Sequence, residues 1–264
     1  GLVPLLARFY DAVRSGMPSP VSPPHLIRVV HIQEELAMNV REVARGHPPA
    51  DIAPPAVVEL SDRIVALTGA SGFFGRAIPA ELSGRGFRVR GIGRGPNPMD
   101  PNVHEWVRTD LSRTVPGDAF VGVEAVVHAA AATDGGYAAH QRNSIDTALH
   151  VMDAASRAGV NRVVHISSLS VVRPPRIGEM QDERTPLAGE PRALGPYTWG
   201  KCVSEAAIAQ QAAIHNVATR MIRPAALIDW RAPELPGLPG RRLFGQWHLG
   251  LGRPSLPLPV CGVD

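Results

Sequence analysis

Cysteine, aromatic residues and long apolar runs are all scarce in this sequence. Its 264 residues include two cysteines, Cys202 and Cys261, and 5% aromatic residues. Because two cysteines do not make a disulfide framework, we expect a reducing, cytoplasmic environment. No apolar run approaches the roughly 18 residues that cross a bilayer, and no charged stretch precedes an apolar core at the N-terminus. We therefore expect neither a transmembrane helix nor a signal peptide.

Lysine is the scarcest of the charged residues. Lys201 is the one lysine among 27 basic residues, and all the others are arginine. The formal net charge is only +3, and the basic residues are scattered, which argues against nucleic acid or a membrane as partner. An ammonium is compact and has a tunable pKa, whereas a guanidinium is wide and keeps its charge. The single lysine raises the question of what it does that arginine could not.

The chain divides by composition into four segments. Residues 1–45 have amphipathic helical patterns near 5–14 and 25–45, and a proline-rich linker follows at 46–61. Strand and helix patterns alternate from 62 to 224. From 225 to 264 proline and glycine are frequent and periodicity is weak. We expect a partial substrate-binding region there, in a chain cut short before that region is complete.

Short apolar segments predict a series of strands, with helical patterns between several of them. The predicted strands are 63–68, 87–93, 104–109, 125–129, 162–167 and 217–223, and the predicted helices are 74–82, 142–158 and 198–215. Strands that alternate with helices predict a doubly wound parallel sheet of Rossmann type, with helices on both faces.

A glycine-rich loop directly follows the first predicted strand and opens a helix. Glycines at this spacing allow a tight turn, close approach of the backbone to a pyrophosphate, and packing of the helix on the strand. No Gly-Lys-Ser/Thr follows, which excludes a P-loop. We predict that the cofactor phosphates contact this loop, at Gly69, Ser71, Gly72, Phe73, Phe74 and Gly75.

The end of the second strand bears on the choice of dinucleotide. NAD sites usually have an Asp or Glu there for the ribose 2′-hydroxyl. This chain has Gly93 and then Arg94, with no carboxylate. An arginine suits a 2′-phosphate through charge-assisted hydrogen bonds, so NADP is favoured over NAD.

A Tyr-x-x-x-Lys pattern supplies the candidate catalytic groups. Tyr197 and Lys201 are four residues apart in a helical pattern, so both lie on one helix face. A cation beside a phenol favours its ionised form, which allows general acid or base catalysis. Ser167 and Ser168 lie at the end of a predicted strand, where ligands bind in this architecture.

In these features, residues 62–264 resemble the extended short-chain dehydrogenase/reductase family, in its NAD-dependent epimerase/dehydratase branch. The matching segments follow the family's order with nearly its spacing: 68–75, 110–111, 127–131, Asn143, 164–168, 197–201 and 223–224.

The resemblance implies a role for each matching site residue. Tyr197 would be the catalytic acid/base, Lys201 would favour its ionised form and hold the nicotinamide ribose, and Ser168 would orient substrate. Asp110 and Leu111 would lie near the adenine. The cofactor would also be lined by Ala129, Ala130 and Ala131. Members often dimerise through two helices, here those at 142–158 and 198–215.

Residues 1–45 resemble the C-terminal tail of the Gfo/Idh/MocA oxidoreductases, which act on sugars with a dinucleotide. The resemblance rests on 9–13, 16–22 and the helix around 29–36. It suggests that one sugar oxidoreductase is joined here to another.

We therefore expect an NAD(P)-dependent enzyme that acts on a nucleotide-sugar-like substrate by hydride transfer. Where many members have Val-Tyr-Gly after Arg-Pro, this chain has 228–230, which leaves the substrate open. An NADP-dependent carbonyl reductase for a non-sugar ketone and a non-catalytic NADP-binding module are the alternatives. No metal is expected, because neither His-Glu-x-x-His nor Cys/His pairing at metal spacing occurs.

Overall fold

Parallel strands form the central sheet. A computed structural model describes Asp11, Ala12, residues 14–17, His31, and residues 59–173, 181–228, 240–243, 247–250 and 260–262. The sheet has six strands in the order β3-β2-β1-β4-β5-β6, and every neighbouring pair is parallel. The strands are β1 Ile64–Thr68, β2 Arg88–Gly93, β3 Glu105–Arg108, β4 Val123–His128, β5 Arg162–Ile166 and β6 Ala218–Ile222. This confirms the predicted doubly wound Rossmann-type sheet.

Helices alternate with these strands. The α-helices are α1 Ile78–Ser83, α2 Tyr137–His140, α3 Thr147–Arg157 and α4 Pro196–His215. Shorter 3-10 segments lie at Gly75–Ala77, Leu169–Val171 and Pro191–Leu194, and a π-helical segment, Gln141–Asp146, joins α2 to α3. The helix predicted at 142–158 therefore begins earlier, at Tyr137, and widens at its centre.

Alternate residues of the central strand β1 point to opposite faces of the sheet, and each face has its own apolar cluster. On one face Ala66 packs in a large cluster with Met152 of α3 and Ile208 of α4. On the other, Leu67 packs with Val89 and with the helix α1. Burial of a large apolar side chain contributes about 1.5–3 kcal/mol, so both faces stabilise the strand order.

The chain divides into two compact units, residues 52–227 with 259–264 and residues 1–51 with 228–258. At the end of the first unit's main segment, β7 Ala226–Ile228 pairs with β10 Val260–Gly262. In the second, β8 Gly240–Leu243 and β9 Trp247–Gly250 form an antiparallel hairpin. These short strands lie where weak periodicity predicted no element.

Most of the N-terminal segment, including the helices expected near 5–14 and 25–45, lies outside the described residues. Of the residues described there, Asp11, Ala12, Arg14, Ser15 and His31 are helical. Among the helices of the described ranges, none is both long and apolar enough to cross a membrane.

Two histidines are buried in the sheet beside one another. His128 ends β4 and His165 lies in β5, and their rings stack with centroids 5.3 Å apart. Burial lowers the pKa of His128 to about 3 and that of His165 to about 2. Both are therefore neutral at pH 7. Within the described ranges, neither ring nitrogen of His165 has a hydrogen-bond partner of good geometry.

Replacing His165 with leucine should stabilise the protein and reduce its acid sensitivity. Leucine removes two unpaired buried nitrogens, which we expect to raise the free energy of unfolding at pH 7 by about 1–2 kcal/mol. Below pH 6.5 the histidines bind protons in the unfolded chain but stay neutral in the folded chain. The free energy of unfolding therefore falls by about 1.4 kcal/mol per pH unit for each buried histidine. Urea unfolding of wild type and His165→Leu at pH 7 and pH 5 measures both effects.

The control is His215→Leu, because His215 is exposed at the end of α4. It should leave the acid dependence unchanged. An unaltered acid dependence in His165→Leu would show that His165 does not resist protonation in the folded state.

Candidate active site

The glycine loop after β1 runs in close contact with the segment after β4. Gly69 has φ +72°, and a Cβ built on it would lie 2.8 Å from the backbone nitrogen of Ala130. A Cβ on Gly75 would lie 2.0 Å from the carbonyl oxygen of Gly69. Both positions therefore exclude any side chain. The loop leaves Ser71, Gly72 and Phe73 exposed, with Phe74 half-buried, which suits contact of its backbone with phosphates.

A threonine at the end of β1 fixes the segment after β4. The Thr68 hydroxyl accepts a hydrogen bond from the Ala130 N–H at 3.2 Å and lies 2.7 Å from Nδ1 of His128. Beyond this contact, the Ala132 N–H donates to the Ser144 hydroxyl at 3.1 Å. The predicted cofactor-lining residues between these anchors are half-buried along the edge: Ala129, Ala130 and Ala131.

Arg94 lies just beyond β2 on a braced turn. The Trp106 ring packs over Gly91, where a Cβ would lie 2.7 Å from ring carbons, and its Nε1 donates to the Gly95 carbonyl oxygen at 3.2 Å. Arg108 Nε donates to the Arg94 carbonyl oxygen at 3.1 Å. The backbone is thus held while the Arg94 side chain is exposed.

The predicted adenine contacts differ in their environment. Asp110 is half-buried, and its pKa is lowered mainly by the Ser112 hydroxyl, which donates to it at 2.8 Å, with a smaller effect of Arg94. Leu111 is buried in the apolar core, and its carbonyl oxygen lies 2.9 Å from Nδ1 of His150. Leu111 therefore packs its side chain inward, while Asp110 stays at the edge.

Helix α4 brings Lys201 into the protein interior. Lys201 is 6% exposed, and its Nζ donates to the carbonyl oxygen of Ile166 at the end of β5, at 2.9 Å. Burial lowers the pKa of Lys201 to about 8, against the opposing effect of Glu205. The ammonium is therefore charged at pH 7 and close to losing its proton.

Tyr197 occupies the first turn of the same helix. Its ring meets the buried His140 ring edge to face, with centroids 6.0 Å apart. Gly200 leaves room for that imidazole, because a Cβ there would lie 2.9 Å from His140 Cβ. In the described part of the chain, Tyr197 and Lys201 share a helix face without a direct hydrogen bond.

The two serines after β5 have different environments. The buried Ser167 hydroxyl donates to Glu205 Oε2 at 2.7 Å. Ser168 is half-buried, and its Oγ accepts from the Ser170 N–H at 3.2 Å, which caps the 3-10 segment Leu169–Val171. Ser167 is thus engaged in the interior, while Ser168 lies at the surface of the site.

These elements meet at one edge of the sheet, because the carboxyl ends of parallel strands lie together. The order of the strands reverses between β1 and β4, which is where ligands bind in such sheets. The arrangement can present glycine backbone to phosphates, and it places the Tyr197 phenol one helical turn from the buried Lys201 ammonium. In the described ranges, no group of three or more His, Cys, Asp or Glu residues could hold a metal ion.

Three residues around the site were missed in the sequence analysis: Thr68, His140 and Glu205. Glu205 had a local signal, since it lies four residues after Lys201 on the same helix face. His140 had none, because its partners are distant in sequence. Thr68 lies in the matching segment 68–75, but nothing local indicated its contacts with Ala130 and His128.

Known proteins match the part of the chain that forms the parallel sheet. Residues 65–229 match the NAD dependent epimerase/dehydratase family. A 3-beta-hydroxysteroid dehydrogenase of Mycolicibacterium neoaurum is 30% identical over 176 residues, which cover 62% of this chain and 47% of that protein. The chain thus spans about half the length of the curated relatives it matches.

Solved structures share the same fold. MoeE5 in complex with UDP-glucose and NAD is 27% identical, with a TM-score of 0.54 over 62% of this chain and 55% of that one. A short-chain dehydrogenase/reductase superfamily protein of Agrobacterium tumefaciens with bound NAD is 28% identical, with a TM-score of 0.54 over 63% of this chain and 50% of that one. On the match of residues 65–229, this chain belongs to the NAD-dependent epimerase/dehydratase family.

Proposed function

We propose that this protein is an NAD(P)-dependent oxidoreductase of the epimerase/dehydratase type that acts on a nucleotide-sugar-like substrate. The observation that carries the proposal is the buried Lys201, bonded to the end of β5 and one helical turn from Tyr197. A buried ammonium is unfavourable in a helix that only supports a fold. Its position at the edge that carries the glycine loop supports a catalytic role.

In this proposal the chain's residues position the substrate and move its proton. Tyr197 Oη takes the proton of the substrate hydroxyl as a hydride leaves the carbon, and returns it in the reverse direction. The Lys201 ammonium lies one helical turn from that phenol, and Ser168 Oγ orients the reacting oxygen. A bound nicotinamide would supply the hydride-transfer chemistry. The tight contact of the loop at Gly69 and Gly75 supports a fit to its pyrophosphate.

The nucleotide sugar is supported by the MoeE5 structure, which contains UDP-glucose. A second candidate, oxidation or reduction of a non-sugar alcohol or ketone, is favoured by the relative named 3-beta-hydroxysteroid dehydrogenase. A panel of UDP-sugars and hydroxysteroids, each assayed with NAD and NADP, separates the two, since only the first class carries a nucleotide diphosphate.

Tyr197→Phe should abolish turnover while leaving cofactor binding intact. Loss of a positioned general acid or base lowers the rate by about 10²–10⁴-fold, whereas the phenol hydroxyl adds little to cofactor affinity. Formation of reduced nicotinamide and fluorescence titration of NADH measure the two properties. The matched control is Tyr137→Phe, because Tyr137 Oη donates to the Arg192 carbonyl oxygen instead.

Full turnover in Tyr197→Phe would overturn the catalytic role. Equal loss of turnover and of cofactor affinity would also contradict it, because that result indicates a residue of the binding site alone. A wild type that binds cofactor yet turns over no substrate in the panel would favour the non-catalytic NADP-binding module.

Gly75→Ala should weaken binding of both dinucleotides. The added methyl would overlap the Gly69 carbonyl oxygen, so the loop must open and lose its approach to the phosphates. We expect at least a tenfold loss of affinity, about 1.4 kcal/mol, for NADH and NADPH alike. The control is Gly117→Ala, where a Cβ meets nothing within 4 Å. Unchanged affinity in Gly75→Ala would place the cofactor elsewhere.

We further propose that NADP is preferred to NAD. The exposed Arg94 on its braced turn, with no carboxylate at the end of β2, supports contact with a 2′-phosphate. Arg94→Ala should weaken NADPH about tenfold or more and leave NADH nearly unchanged, since a charge-assisted hydrogen bond contributes about 1.5–3 kcal/mol. Nicotinamide fluorescence measures both affinities.

The control is Arg85→Ala, an arginine paired with Glu81 on α1. Equal weakening of both cofactors by Arg94→Ala, or NADH binding that exceeds NADPH binding in wild type, would contradict the NADP preference.

A further inference from the structure

Lys201 and Glu205 are the buried residues of the described ranges that carry a full charge. Lys201 is 6% exposed and Glu205 is 4% exposed. They lie one turn apart on α4, so both carboxylate and ammonium project from the same helix face. A carboxylate removed from water is unfavourable unless it is bonded and compensated. The burial of Glu205 therefore indicates a role other than stabilising α4.

Hydrogen bonds hold Glu205 in place from two strand ends. The Ser167 hydroxyl, just beyond β5, donates to Oε2 at 2.7 Å. Arg223, just beyond β6, donates to Oε1 through Nε at 3.0 Å and also through Nη2. The carboxylate thus joins α4 to both strands beside Lys201.

Among the described residues, the imidazoles around Lys201 do not compensate its charge. His128 of β4, His165 of β5 and His140 of α2 each interact electrostatically with Lys201, and burial lowers the pKa of all three. They are neutral, and protonation would only add like charge. Tyr197 lies one turn before Lys201, and Arg223 adds positive charge behind Glu205. The carbonyl oxygen of Ile166 supplies a dipole but no charge.

We propose that Glu205 is a positioning residue that keeps the Lys201 ammonium protonated at neutral pH, and that Arg223 limits this effect by neutralising part of the carboxylate. The consequence for catalysis rests on the proposed function, since it acts through Lys201 on Tyr197. The protonation of Lys201 itself does not depend on that function.

The single lysine makes this proposal directly measurable. Growth with isotope-labelled lysine gives one side-chain resonance, and its pH midpoint reports the protonation of Lys201 in the full chain without substrate. Glu205→Gln should lower that midpoint by about one pH unit, a tenfold change in proton affinity. Glu205→Asp keeps the charge while disturbing the same contacts, so its midpoint should stay close to that of wild type.

Arg223→Gln should move the midpoint in the opposite direction, upward, because it leaves Glu205 less neutralised. This variant also keeps the proposal testable if Glu205→Gln fails to fold, as judged by circular dichroism and thermal unfolding. An unchanged or raised midpoint in folded Glu205→Gln would overturn the proposal. So would equal lowering in Glu205→Gln and Glu205→Asp, or a midpoint that does not rise in Arg223→Gln.

Kinetics separate this proposal from the proposed function. Where turnover is observed, we expect kcat to fall at alkaline pH in both proteins. In Glu205→Gln this fall should occur at a lower pH than in wild type, and KM should change less than kcat. Failure of Tyr197→Phe to reduce turnover would overturn the proposed function and leave the Lys201 midpoints unaffected. Unchanged midpoints with a normal Tyr197→Phe result would overturn only the role of Glu205.

Discussion

Burial of one ammonium group constrains the whole edge of the sheet that carries the candidate site. A charge removed from water is tolerated only with hydrogen bonds and compensating charge close by. Lys201 donates a hydrogen bond to the Ile166 carbonyl oxygen, and the carboxylate of Glu205 supplies the compensating charge. Because Glu205 is itself bonded by Ser167 and Arg223, one buried cation fixes the end of β5, the end of β6 and α4 relative to one another. The position of Tyr197 follows from the same helix.

The other half of the site is fixed by backbone contact rather than by charge. Gly69 lies so close to Ala130 that a side chain would not fit, and the Thr68 hydroxyl bonds the Ala130 N–H. These contacts join the ends of β1 and β4, the two strands between which the sheet order reverses. The glycine loop after β1 is therefore held against the segment after β4 by close backbone contact and by this hydrogen bond. The two halves meet through His128, which bonds Thr68 and stacks on His165.

The sequence predicted those parts of the structure that depend on neighbours along the chain. Apolar runs located all six strands of the sheet, and the glycine spacing located the loop, because each is a local pattern. It did not predict the contact of Gly200 with His140, since the two residues meet only after α2 and α4 pack. The π-helical segment Gln141–Asp146 was likewise invisible, because its residues have an ordinary helical pattern.

The charges around position 201 explain why lysine stands there in a chain that otherwise uses arginine. The Lys201 ammonium donates to one backbone carbonyl oxygen, and the three imidazoles that interact with it electrostatically are neutral. A guanidinium has five donors that need acceptors. An arginine would also stay charged at any working pH. Burial and the carboxylate of Glu205 act on Lys201 in opposite directions and leave its pKa at about 8. Modest changes in its surroundings can therefore remove the charge beside Tyr197. Lysine has this property and arginine does not.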